Sequence, residues 1–325
     1  MIGEDGGGLG LALGGGAARG LAHVGVLRVL AEHRIPVTHL AGCSAGSVVA
    51  AAFLCGTLDE LESFVGKLGR MDLARFADIT FAGGMLGGER VLEVLQALTR
   101  GLRFEDLPLP FAVVAADLND RTRVVLRSGP LAEALHAAMA VPGLMAPVPW
   151  NGRLLADGGL VELLPVRTAR ELGAGPVVAV DVSSPDIWTR AATGTRLSVQ
   201  RVRRGWSAGY GKAAGHIPEQ ARNLTKRLVP RSLSGWNLVR TVLTAFEVTD
   251  ARLRTEQPGG EPDLLIRPDV AAFHGHQFYR AAEIIEAGRV AAEAAIPLIT
   301  RLPSATPGAS LPPGAAPAVT RLLRP

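Results

Sequence analysis

The sequence predicts an α/β fold in which a mainly parallel sheet is covered by helices on both faces. Three observations predict it. Short apolar runs of strand length alternate with longer segments of helical periodicity through the opening of the chain. A glycine run, Gly14-Gly15-Gly16, separates the first strand from the first helix, and Gly42-Cys43-Ser44-Ala45-Gly46 separates the second strand from the second helix. Parallel neighbours need crossover connections, and helices in those crossovers cover the sheet on its two faces.

The elements follow in order. Leu9 to Leu13 reads as a buried strand. Leu21, Val24, Leu27, Val29 and Leu30 recur at helical spacing, and that helix ends near His33. Ile35 to Ala41 is a second apolar strand, and the run Ser47 to Leu54 after the serine turn continues as a helix. Polar, helical material extends to about Arg100. Phe111 to Ala116 and Thr122 to Leu126 read as strands joined at Asn119-Asp120, and Pro130 to Met139 as a helix. Asn151-Gly152 between two short apolar runs is a two-residue hairpin signal, because both positions of such a turn favour positive φ. Pro176 to Val180 and Leu264 to Ile266 are further strands, and helices are expected from Trp236 to about Arg254 and from Tyr279 to Ile299.

Composition bounds the class. With 325 residues and 48 % apolar side chains, the chain can bury the core of one large domain, here expected over residues 1–302. A basic variable insertion interrupts it at about 186–235: from Arg190 to Arg240 eleven Lys or Arg residues face one acid, Glu219, with Trp188, Trp206 and Trp236 in or beside the segment. Residues 188–240 are read either as a contact with an anionic membrane surface or as a solvated insertion. The Pro/Ala-rich tail 303–325 is expected to be disordered. A net charge of +4 suits an anionic membrane surface as readily as nucleic acid and decides nothing alone; no nucleic-acid partner is expected. Cys43 and Cys55 do not make a disulfide framework or a metal site. The first residues show no signal peptide, and no stretch is long and apolar enough to span a bilayer. A cytoplasmic protein is expected, with peripheral contact at the inner face of the membrane left open.

Gly42-Cys43-Ser44-Ala45-Gly46 fits G-x-S-x-G between a strand and a helix, the setting in which a serine is presented on a strained turn as a nucleophile. A second match, Gly205 to Gly209 around Ser207, follows Arg201-Val202-Arg203-Arg204 and lacks the strand–turn–helix context. The loop Gly14-Gly15-Gly16-Ala17-Ala18-Arg19-Gly20 lies one strand earlier, and its unobstructed amides suit a developing oxyanion. A dinucleotide loop is the rival reading. It fails because the strict G-x-G-x-x-G is not met and no acid ends the second strand.

A serine needs a proton acceptor. Of the seven histidines, His23, His33, His39, His136, His216, His274 and His276, none sits in a recognisable catalytic context; His274-Gly275-His276 is also thin support for a metal. Asp157-Gly158-Gly159 follows the predicted hairpin and supplies a carboxylate on a turn.

Taken together, the glycine loop with Arg19, the stretch Leu21 to Leu27, Gly42 to Gly46, Met139-Ala140-Val141-Pro142-Gly143 and Asp157-Gly158-Gly159 resemble, in order, the motifs of the patatin-like phospholipases. The resemblance covers residues 9–183 well and 236–300 loosely. It implies a three-layer α/β/α fold and a Ser–Asp dyad that cleaves acyl esters of membrane lipids without metal or other cofactor. Carried over, Ser44 is the nucleophile, Asp157 the base, and Gly15, Gly16 and Ala17 the oxyanion hole, supported by Gly14, Arg19, Gly20, Gly42, Gly46, Gly158 and Gly159. The alanine pair Ala17-Ala18 before Arg19 leaves open which amides face the site. Two other readings stay open: a membrane-associated regulatory protein that keeps the fold without turnover, and a Ser–His–Asp carboxylesterase using His216, His274 or His276.

Overall fold

The structure, a computed structural model, describes residues 8–67, 88–173, 175–183 and 261–303. The basic segment 186–235, Ser207, His216, the helix expected from Trp236 to Arg254 and all of the tail after residue 303 lie outside the described residues.

Among these, eight strands form one sheet: β1 Leu9–Leu13, β2 Val37–Cys43, β3 Phe111–Asp117, β4 Thr122–Leu126, β5 Val148–Trp150, β6 Arg153–Asp157, β7 Val177–Val180 and β8 Leu264–Ile266. The order is β5-β6-β3-β2-β1-β7-β8, with β4 also paired to β3. Strands β3, β2, β1, β7 and β8 run parallel, while β4, β5 and β6 are antiparallel additions. The expected Asn151-Gly152 hairpin joins β5 to β6, with positive φ at both residues.

The described helices are α1 Ala22–Glu32, α2 Ala45–Cys55, α3 Leu58–Lys67, α4 Gly88–Thr99, α5 Leu131–Ala138, α6 Val166–Leu172 and α7 Ala281–Ile299. Alternation along the strands sorts the core into two layers, because successive side chains point to opposite faces. Leu9, Leu11 and Leu13 of β1, Leu40 of β2 and Val178 and Val180 of β7 join the large cluster built with α1, α2, α4, α5 and α7. Ala12, Ala41, Val177 and Ala179 face the other way and pack on Val166 and Ala169 of α6. Small residues on that face let one short helix lie close. The predicted three-layer α/β/α arrangement is therefore present.

α1 and α7 cross at backbone contact. A Cβ on Gly25 would run into the Ile285 carbonyl, and one on Gly288 into the Ala22 carbonyl. This crossing ties the last described helix onto the first, although 248 residues lie between Glu32 and Ala281 in sequence.

Candidate active site

The strand register brings the two halves of the site together. On one edge, β3 pairs with β4 from Val113 to Asp117. On the other edge, β2 occupies the first half of β3, ending at Cys43 opposite Val114, and β6 occupies the second half, ending at Asp157 opposite Ala115. Strands β2 and β6 therefore share one lane and point their C-terminal ends at each other across adjacent residues of β3. Ser44 follows the first end and Asp157 closes the second.

Ser44 is the N-cap of α2, with φ 49° and ψ −125°. That conformation is strained for a non-glycine residue. Its surroundings leave the chain no room to relax: a Cβ on Gly46 would meet the Leu13 carbonyl and, at 2.7 Å, the Gly14 carbonyl, and one on Gly42 would meet the backbone of Ser47. The Ser47 hydroxyl and amide both donate to the Ser44 carbonyl, at 2.6 and 3.0 Å, and close the first turn of the helix.

Asp157 is almost fully buried, at 1 % exposure. Its Oδ1 accepts the Gly159 amide at 2.8 Å, capping the short turn Gly158–Leu160. Its Oδ2 has no hydrogen-bond partner among the described residues. The Ser44 hydroxyl is close enough to favour the charged carboxylate without completing a hydrogen bond of good geometry. Burial pushes the Asp157 carboxyl up to about 6, against the opposing pull of the Gly159 amide and Ser44. A carboxylate with one free lone-pair face, a raised pKa and a hydroxyl beside it can accept a proton from that hydroxyl.

The glycine loop packs against the serine. A Cβ on Gly15 would lie 3.2 Å from Ser44 Cβ, and one on Gly20 would lie 2.6 Å from Ala45 Cβ. Its amides are unequally committed. Gly14 donates to Val180 O at 3.1 Å, Gly15 to Leu163 O at 2.9 Å and Ala18 to Gly275 O at 3.0 Å. The expectation that Gly15 is an oxyanion donor is thus corrected, since its N–H closes a tertiary backbone bond. Among the described residues, nothing accepts from Gly16 or Ala17, and Ala17 sits at φ 49°, a second strained position. The amide of Ala45 opens α2 directly after the serine, a position the motif reading did not single out. Arg19 is buried beneath the loop, at 9 % exposure.

The histidines are placed elsewhere. His23 is fully buried and donates through Nε2 to Gly14 O at 2.7 Å; burial lowers its pKa to about 4, so the ring that holds the glycine loop is neutral. His33 pairs with Glu293, His39 contacts Thr38, and the exposed rings of His274 and His276 stack on each other. Among the described residues, none hydrogen-bonds Ser44. No group of three metal-ligating side chains occurs among the described residues, and no described helix is long and apolar enough to cross a membrane. Asp117 and Asp181, at the ends of β3 and β7, accept the amides of Asn119 and Ser183 and serve as turn residues.

Comparison with known proteins gives the same direction. Residues 11–170 match the family model of the patatin-like phospholipases. An uncharacterised NTE family protein of Mycobacterium tuberculosis is 36 % identical over 54 % of this chain and 49 % of its own length. A second NTE family protein of that organism is 30 % identical over 89 % of this chain and 46 % of its own length. The lysophospholipase NTE1 of Cryptococcus neoformans is 34 % identical over 55 % of this chain but only 11 % of its own length. The chain thus spans about half the length, or less, of these curated relatives.

Proposed function

Because residues 11–170 make this chain a member of the patatin-like phospholipase family, we propose that it is a serine acyl-hydrolase of lipid esters working through a Ser44–Asp157 dyad. The observation that carries the reading is the head-on meeting of β2 and β6 on β3, which leaves a strained serine beside a buried, half-partnered carboxylate.

The chemistry follows from that geometry. The Asp157 carboxylate takes the Ser44 proton as Oγ bonds to the ester carbonyl carbon. The carbonyl electron pair moves onto oxygen, where the amides of Gly16, Ala17 and Ala45 and the N-terminus of α2 stabilise it; each donor of this kind is worth about 3 kcal/mol. Collapse of the tetrahedral adduct breaks the ester C–O bond, and Asp157 returns the proton to the departing alcohol. Water then attacks the acyl-serine by the same route. A base of pKa about 6 is largely ionised at neutral pH, yet more basic than a solvated aspartate. No step calls for a metal or another cofactor. The lysophospholipase name of the fungal relative favours a lipid with an acyl ester as substrate, and the basic segment 188–240 is the proposed contact with an anionic membrane.

The test is fluorophosphonate labelling and p-nitrophenyl ester hydrolysis by wild type, Ser44→Ala, Asp157→Asn and Ser207→Ala. Ser44→Ala should abolish labelling, Asp157→Asn should cut turnover by roughly 10²–10⁴-fold, and Ser207→Ala should behave as wild type. Full activity in Asp157→Asn would eliminate the dyad and return the histidines as bases.

A further inference from the structure

The segment that carries Asp157 also holds the glycine loop. Six residues after Asp157, the Leu163 carbonyl accepts the Gly15 amide at 2.9 Å. Between them lies Glu162, only 5 % exposed. Its amide donates to Gly158 O at 2.9 Å, closing the turn that begins at Asp157. Its carboxylate is fully engaged: Oε1 accepts the Thr168 amide at 3.1 Å, and Oε2 accepts the Thr168 hydroxyl at 2.7 Å and Arg123 Nη1 at 2.9 Å. Arg123 belongs to β4, which pairs with the same β3 that sets the register of Ser44 and Asp157, and its other nitrogen grips Glu171 at 2.7 Å.

We propose that Glu162 is a positioning residue for acyl transfer, a buried carboxylate that makes residues 157–163 a rigid strut between Asp157 and the oxyanion loop. This inference rests on the dyad reading. Stability alone does not account for the arrangement. Desolvating a carboxylate and a guanidinium costs several kcal/mol, and apolar residues of similar volume generally do as well or better in such a place. The arrangement supplies direction. One end of the strut faces Asp157 toward Ser44, and the other pulls Gly15 into a backbone bond that leaves the next two amides free. Reacting groups tolerate little misplacement, a shift of about 1 Å costing on the order of 10²-fold in rate.

The experiment measures the second-order rate of fluorophosphonate labelling of Ser44 from about pH 5 to about pH 8. The full chain is used as wild type, Glu162→Gln, Thr168→Val and Asp157→Asn, with circular dichroism at the same temperature fixing the folded fraction. Burial, the Gly159 amide and Ser44 set the Asp157 carboxyl, with no charged side chain among the causes, so its titration reports the turn. Glu162→Gln should slow labelling of the folded protein by at least about ten-fold and move the acid limb to lower pH, as a loosened turn admits water to Asp157. Thr168→Val, which removes one partner with almost no change of volume, should do the same more weakly, and it carries the test should Glu162→Gln not fold. Folded variants with wild-type rate and limb overturn the strut while leaving the dyad standing. A wild type that does not label, or labels as fast without Asp157, overturns the dyad and the strut together.

Discussion

The two ends that meet on β3 are held by different physics. Ser44 is fixed by backbone packing: its φ of 49° and ψ of −125° lie between Gly42 and Gly46, two residues either side, which admit the backbones of Ser47 and of the remote Leu13-Gly14. Asp157 has an ordinary φ of −52° and opens a segment anchored from a distance, since Glu162 in the loop after it is held by Arg123 of β4 and Thr168 of α6. The stored cost differs accordingly. At the serine it is backbone strain, which no change of pH relieves; at the aspartate it is desolvated charge, which protonation removes.

The largest expected effect tests the serine end. In Gly46→Val the new Cβ would meet the carbonyls of Leu13 and Gly14, backbone on both counts, so no side chain can swing aside. Overpacking of this kind should cost about 3 kcal/mol or more, read as a lower urea midpoint, together with lost labelling of Ser44. A variant that folds and labels normally would show that the elbow has slack and that the contrast between the two ends is overdrawn.

The contrast also explains what was legible. Gly-Cys-Ser-Ala-Gly announces its elbow because the small residues it demands fall within five consecutive positions, even though what Gly46 makes room for, the Leu13 and Gly14 carbonyls, is remote. The Asn151-Gly152 turn and the buried apolar run Leu9 to Leu13 were readable for the same reason. Nothing local says that β6 should fill the lane left by β2, that Leu163 should take the Gly15 amide, or that Glu162 should be buried against Arg123 from 39 residues away. Read alone, Glu162 is one acid in an ordinary loop. Its role exists only once β4 and α6 are packed around it, and the oxyanion loop was misassigned at Gly15 because that residue's partner is likewise remote.

The next effect tests the distant half. Asp157 has a folded pKa of about 6 against an ordinary value of 3.8, so between those values the folded state binds more protons than the unfolded chain. Stability fully present below about pH 3.8 is therefore lost as pH rises through about 6, a total near 3 kcal/mol from the size of the shift. Asp157→Asn should then be more stable than wild type by about 2–3 kcal/mol near neutral pH, with the gain vanishing in acid. His23 works in the opposite sense over an overlapping range, since its lowered pKa adds stability above about 6.5 that is lost toward 4. The difference between variant and wild type, measured by denaturant titration at several pH values, isolates Asp157. A gain that does not depend on pH would mean that Asp157 titrates in the fold as it does in the unfolded chain, with no raised pKa.

The smallest effect distinguishes strain from charge directly. At an unstrained position, replacing Gly by Ala stabilises a protein by roughly 0.4–1 kcal/mol through the unfolded chain. At residue 44 the sign should reverse, because φ 49° with ψ −125° penalises any Cβ and the Ser44 side chain makes no capping bond that either replacement would lose. Ser44→Gly should therefore be more stable than Ser44→Ala by about 1 kcal/mol, and by the same amount at about pH 4 as at about pH 7, roughly the span over which the Asp157 gain changes. Equal stabilities, or an alanine advantage, would mean that the turn is relaxed and that the serine, like the aspartate, is held by its distant neighbours.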